Sequence, residues 1–197
     1  MPRLKPIASD AALPESLSRL IAGSDAFMGF AANDVRTLAL WPELLQALGP
    51  VVHTIYGAGA VDSGLKRLIA EATSQASGCR YCTAHTAHGA AQAGVPLEKI
   101  AAVWNADDSP LFTKAERAAL RVARGAAQTP NAVTDADFAE LQAHFDDRAI
   151  IEIVAMISLF GFLNRWNSTL ATDLEQVPRA FGEKLGVASL ADAASHV

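Results

Sequence analysis

Both cysteines of the chain and two of its five histidines crowd into GCRYCTAHTAHG, residues 78–89, as Cys79, Cys82, His85 and His88. Such a set can attach haem, bind zinc or run thiol redox chemistry. Haem attachment through C-x-x-C-H fails because Thr83 stands where the histidine must be. Two Cys and two His are acceptable zinc ligands, but the spacing opposes them. On a continuous helix each step of three residues turns a side chain back by about 60°, so the four groups fan out and Cys79 and His88 face opposite sides. Nothing supplies the turn that zinc knuckles place between ligand pairs, so no metal and no other cofactor is expected here.

Redox chemistry asks for less. Two thiols at i and i+3 are neighbours on one helix face, within reach of a disulfide. Gly78 breaks the preceding helix, so Cys79 is expected at or near a helix N-terminus, where unpaired N–H groups favour a thiolate. His85, one turn beyond Cys82, can accept its proton. Thiolate, base and second thiol are what a peroxide or disulfide substrate requires. Glu71, on the helix before Cys79, either orients His85 as a third member or lies solvated and paired with Arg67 at i−4. His88 is expected in a surface or packing role, and His53, His144 and His196 have no chemical companions nearby in sequence.

The elements that must hold these residues read as helices. DSGLKRLIAEATSQASG sets Leu65, Leu68, Ile69, Ala72 and Ala76 on one face, and CRYCTAHTAHGAAQAG follows as a second helix ending by Gly94. Upstream, a helix after Pro14 is expected to stop at Gly23, and Pro42 and Pro50 to punctuate the segment from Asp34 to Gly59. Pro96 opens a short helix, and Thr113/Glu116 and Thr134/Asp137 read as capping boxes. A long helix starts near Asp146 or Asp147 and carries the apolar run 149–163, shorter than the ~18 residues of a membrane span and interrupted by Glu152. The fold class is therefore all-α, a single helical domain over 1–197 with an N-terminal extension, 1–30, and a C-terminal tail, 176–197, that docks or frays.

Hydrophobic residues at 51%, charged residues at 19% and a net charge of −5 describe a globular chain. They argue against a nucleic-acid footprint or a basic membrane anchor. No signal peptide is visible in MPRLKPIASDAALPES, so a cytoplasmic location is expected, where a close Cys pair means chemistry rather than a structural staple.

The stretch LKRLIAEATSQASGCRYCTAHTAHGAAQAGVPLEKI resembles the carboxymuconolactone decarboxylase family, in its alkylhydroperoxidase D-like branch. The likeness runs over roughly residues 30–175 and includes an Asn-Arg-aromatic-Asn sequence at Asn164–Asn167. It implies a helical bundle that assembles into dimers, trimers or hexamers. It also implies a Cys79–Cys82 dithiol that reduces a hydroperoxide substrate and is restored by an external dithiol reductant. The family's usual relay is displaced: Thr86 holds the position of its histidine and Arg67 that of its glutamate, leaving His85 and Glu71 as substitutes. Which cysteine attacks stays open, since helix-end exposure favours Cys79 and proximity to His85 favours Cys82. Tyr81 and Trp166 line the pocket or simply pack. Asn164 and Arg165 brace a carboxylate or a neighbouring subunit, or cap a helix. Two rivals remain: a cofactor-free decarboxylase or lactone-processing enzyme, and an oligomer whose cysteines are inert.

Overall fold

The computed structural model describes residues 1–8 and 11–185. Those residues form ten α-helices, one 3-10 turn and no strand. The order is α1 (Glu15–Met28), α2 (Asn33–Leu38), α3 (Pro42–Tyr56), α4 (Ser63–Ala76), α5 (Arg80–Gln92), α6 (Leu97–Ala101), the turn Val103–Asn105, α7 (Lys114–Ala126), α8 (Asp135–Gln142), α9 (Asp147–Leu170) and α10 (Gln176–Leu185). Both capping boxes form. Thr113 Oγ1 accepts from the Glu116 N–H and the Glu116 carboxylate accepts from the Thr113 N–H; Thr134 and Asp137 do the same for α8.

α4 is the central helix, packed on α5, α7 and α9. The single apolar face expected of it is an understatement. Besides Leu65, Leu68, Ile69 and Ala72, the polar Lys66, Glu71, Thr73 and Ser74 are buried, because neighbours surround the helix. Lys66, 2% exposed, meets Glu152 of α9 at 3.1 Å and donates to the Gly57 carbonyl at 2.8 Å. Glu152 also accepts from the N–H groups of Ala60 and Val61 and from Arg148. These donors, Arg148 foremost, hold its carboxyl down at about 2. Glu152 is thus a structural anchor between α9 and the loop before α4, and Gly59 lacks the Cβ that would collide with its carboxylate.

Two expected breaks do not occur. α1 continues through Gly23 to Met28 and ends at Gly29, whose φ of 79° closes it. α3 contains Pro50 rather than stopping there. In both, packing outweighs a local cost of roughly 1 kcal/mol for a helical glycine and 3 for a proline: Leu17, Ile21, Leu38, Ala39 and Leu45 form a satellite core under α1, α2 and α3. The region expected as an N-terminal extension thus contributes a helix to that second core. α9 is longer than its apolar run. Its 24 residues include a window of mean hydropathy 1.5, long and apolar enough to cross a membrane by length and composition, with half of that window buried inside the fold. Of the C-terminal tail, 176–185 form α10, which packs on α5; the rest, His196 included, lies outside the described residues.

Candidate active site

The turn from α4 to α5 is built by one glycine. Gly78, at φ 66°, takes the left-handed conformation that closes α4, with Gly78 N–H bonded to the Gln75 carbonyl and Cys79 N–H to the Ser74 carbonyl. The next residue, Cys79, is the N-cap of α5, and its Sγ accepts from the Cys82 N–H at 3.4 Å. Both cysteines are free and buried, at 1% and 3% exposure. The Cys82 S–H also donates to Cys79, as does the Ser168 hydroxyl of α9, and the positive charge of His85 adds to them. Against the opposing effect of burial, these donors lower the Cys79 thiol to about 7. Cys82 moves the other way, well above the usual thiol range, because it is buried and gives its proton to Cys79. Asn167 Nδ2 lies 3.5 Å from Cys82 Sγ. These opposite shifts favour the thiolate on Cys79 and the thiol on Cys82.

His85 points to a partner far away in sequence. Its Nε2 lies 2.6 Å from Glu175 Oε2, and its ring stacks on Tyr81 with centroids 4.1 Å apart. Glu175 Oε1 accepts from Tyr81 Oη at 2.8 Å and from the Asn33 N–H at 2.5 Å. Burial opposes ionisation of Glu175, but the His85 hydrogen bond and charge, together with the Asn33 N–H, prevail and keep it below the ordinary carboxylate range. Asp34 stands beside this pair. Burial raises its carboxyl, partly offset by His85. His85 Nδ1 is buried and has no hydrogen-bond partner among the described residues.

Glu71 does not orient His85. It is fully buried, accepts from Gln75 Nε2 at 2.6 Å, and takes a short hydrogen bond from Thr86 Oγ1. Burial pushes its carboxyl up to about 7, against the pull of those two donors. The reason is angular. One residue along α5 rotates the side chain by about 100°, so Thr86 faces α4 while His85 turns toward Glu175. The alternative of a solvated Glu71 paired with Arg67 fails too, since the Arg67 guanidinium sits over the rings of Tyr56 and Phe27 at 4.4 and 4.9 Å. His88 is half-buried, against Phe30 and Phe181.

Sequence reasoning missed Glu175, Asp34 and Ser168. Asn167 and Asn164 had a signal in the Asn-Arg-aromatic-Asn sequence. Asn164 Nδ2 donates to Ser77 Oγ at 3.2 Å, well inside α9 rather than at a helix end. Among the described residues no group of three or more His, Cys, Asp or Glu is placed to hold a metal ion.

Comparison with known proteins places the family and the fold. The carboxymuconolactone decarboxylase family model matches residues 42–125, which hold α3, α4, α5 and most of α7. The debrominase Bmp8 superposes with a TM-score of 0.86 at 32% identity, over 92% of this chain and 96% of that one. A cysteine-to-alanine variant of it in complex with 2,3,4-tribromopyrrole matches at 31% identity. An uncharacterized peroxidase-related protein of Ralstonia eutropha JMP134, described as an alkylhydroperoxidase AhpD core, gives a TM-score of 0.78 at 25% identity, over 90% of this chain and 94% of that one. The uncharacterized protein YnjA of Escherichia coli (strain K12) is 34% identical over 110 residues, which are 56% of this chain and span only 60% of YnjA. The chain belongs to the carboxymuconolactone decarboxylase family and has the alkylhydroperoxidase D-like fold.

Proposed function

We propose that the protein is a thiol-dependent peroxidase in which Cys79 attacks and Cys82 resolves. The observation that carries this reading is the donor set on Cys79: N-cap position, Cys82 S–H and N–H, Ser168 hydroxyl and the charge of His85. The Cys79 thiolate attacks the terminal oxygen of a hydroperoxide, breaking the O–O bond and forming a sulfenic acid. The leaving alkoxide takes a proton from water and departs as alcohol, while His85 supports the Cys79 thiolate through its charge. Cys82 then condenses with the sulfenic acid, releasing water and closing the Cys79–Cys82 disulfide. An external dithiol returns the pair to the reduced state by exchange. Glu175 acts through His85 as a positioning residue, and Glu71 is outside this path.

Peroxide-dependent consumption of dithiothreitol by wild type, Cys79→Ser and Cys82→Ser tests the reading. Wild type turns over and both variants lose turnover; full activity in either variant overturns it. The same result would expose an oligomer with inert cysteines, and a decarboxylase has no use for the donor set on Cys79. A second reading is favoured by the likeness to Bmp8. In that reading the Cys79 thiolate of this chain takes bromine from a bromoarene, the carbon takes a proton, and Cys82 expels bromide as the disulfide forms. Bromide release from a bromopyrrole separates the two activities.

We also propose a homo-oligomer, because Trp41, Leu40 and Phe162 lie exposed around one apolar recess beside α9. A monomeric mass by light scattering at micromolar concentration refutes it.

A further inference from the structure

A cleft of about 660 Å³ opens between α7, α8, α9 and the loop from Gln128 to Val133, a size typical of small-molecule sites. Ser77, Asn164 and Ser168 line it together with Val122, Phe138 and Ile157. Ser168 is the hydroxyl that donates to Cys79, so one residue of the cleft lining touches the reactive sulfur, which is itself 1% exposed and behind that lining. Asn164 is 3% exposed, spends Nδ2 on Ser77, and leaves Oδ1 with no partner among the described residues. An unmet buried acceptor costs about 1–3 kcal/mol, which a ligand donor at this point would recover; a hydroperoxide O–H is such a donor. Arg165 lines the same cleft, exposed, with no hydrogen bond or ion pair among the described residues. It precedes Ser168 by three residues, so their Cβ atoms are about 5–6 Å apart on one helix face. The guanidinium extends from there, which leaves room for a compact apolar group between charge and hydroxyl.

We infer that this cleft is the substrate site, and that it takes an organic hydroperoxide with an apolar body and a carboxylate. The carboxylate meets Arg165, the body lies on Val122, Phe138 and Ile157, and the peroxide end meets Asn164 and Ser168, the hydroxyl that donates to Cys79. The inference rests on the peroxidase reading and narrows its substrate. Hydrogen peroxide fills neither the apolar walls nor the cationic end.

The test compares kcat/KM for hydrogen peroxide, cumene hydroperoxide and para-carboxy cumene hydroperoxide, with dithiothreitol as reductant. The carboxylated probe should exceed the neutral one about tenfold, the scale of one charge-assisted contact. Arg165→Gln should bring that ratio near one. Gly161 also lines the cleft, and a Cβ there meets nothing within 4 Å. Gly161→Leu should therefore project into the cleft without disturbing the helix, lowering both aryl hydroperoxides against hydrogen peroxide by about tenfold or more. A ratio near one in wild type, or ratios unmoved by both variants, overturns the inference. If no peroxide is turned over, the peroxidase reading falls, yet the cleft is still tested. Then 4-isopropylbenzoate should slow iodoacetamide alkylation of Cys79 in wild type and not in Arg165→Gln, and an absence of slowing overturns the site.

Discussion

Replacing Cys82 by alanine should move the ionisation of Cys79. The largest support of the Cys79 thiolate is the Cys82 S–H, with Ser168, the Cys82 N–H and His85 behind it, and together they carry the thiol from 9.0 to about 7 against burial. That is a hundredfold change in ionisation constant, about 2.7 kcal/mol at 1.36 kcal/mol per tenfold. Removing the first donor should return about half of it, raising the midpoint by about one pH unit. The thiolate fraction at pH 7 then drops from about one half to about one tenth, and alkylation slows roughly fivefold. Cys82→Ser keeps a hydroxyl donor and should stay near the wild-type midpoint. The assay is the pH dependence of iodoacetamide alkylation, followed by peptide mass spectrometry. A Cys82→Ala profile that superimposes on wild type refutes the reasoning, as does a low midpoint that follows Cys82 in Cys79→Ser.

Glu175→Gln should raise the Cys79 midpoint and slow peroxide reduction about tenfold at pH 7, since the charge that holds His85 is gone; alkylation midpoints identical to wild type would sink the pairing. Glu71 has its folded value raised to about 7 from 4.5, so the native state holds a proton the unfolded chain has lost, and stability falls as pH rises from 4.5 through 7, by up to about 3 kcal/mol. Thermal melts across that range should show this fall flattened in Glu71→Gln, and an equal fall in both proteins contradicts it. Glu152→Ala strands the Lys66 ammonium at 2% exposure and should cost about 3–5 kcal/mol by urea unfolding, against less than 1 if the pair is dispensable. Because the Glu152 carboxyl is held at about 2, its contribution is present at neutral pH and lost as pH falls from 4.5 toward 2.

The parts of the fold written in local chemistry were legible in the sequence. Thr113 and Thr134 carry their own capping partners, and Gly78 marks both the end of α4 and the start of α5, which puts Cys79 at the N-cap. Gly23 and Pro50 misled because their local cost is offset by a satellite core assembled from three helices. The relay was half legible. Helical angle shows that His85 and Thr86 leave α5 in different directions, but not which neighbour each meets. Glu175 lies 90 residues from His85 and beyond the turn closing α9, where only tertiary packing brings it home. The same packing buried Glu71 against Thr86, a pairing that no spacing within α4 announces.

The central claim, that Cys79 attacks and Cys82 resolves, is tested most directly by trapping the sulfenic acid. Cys82→Ser and Cys79→Ser proteins are each given one equivalent of cumene hydroperoxide in the presence of dimedone, and the adducts are located by peptide mass spectrometry. The account predicts a stoichiometric adduct on Cys79 in Cys82→Ser and little on Cys82 in Cys79→Ser. An adduct on Cys82 alone, or none on either cysteine, contradicts it.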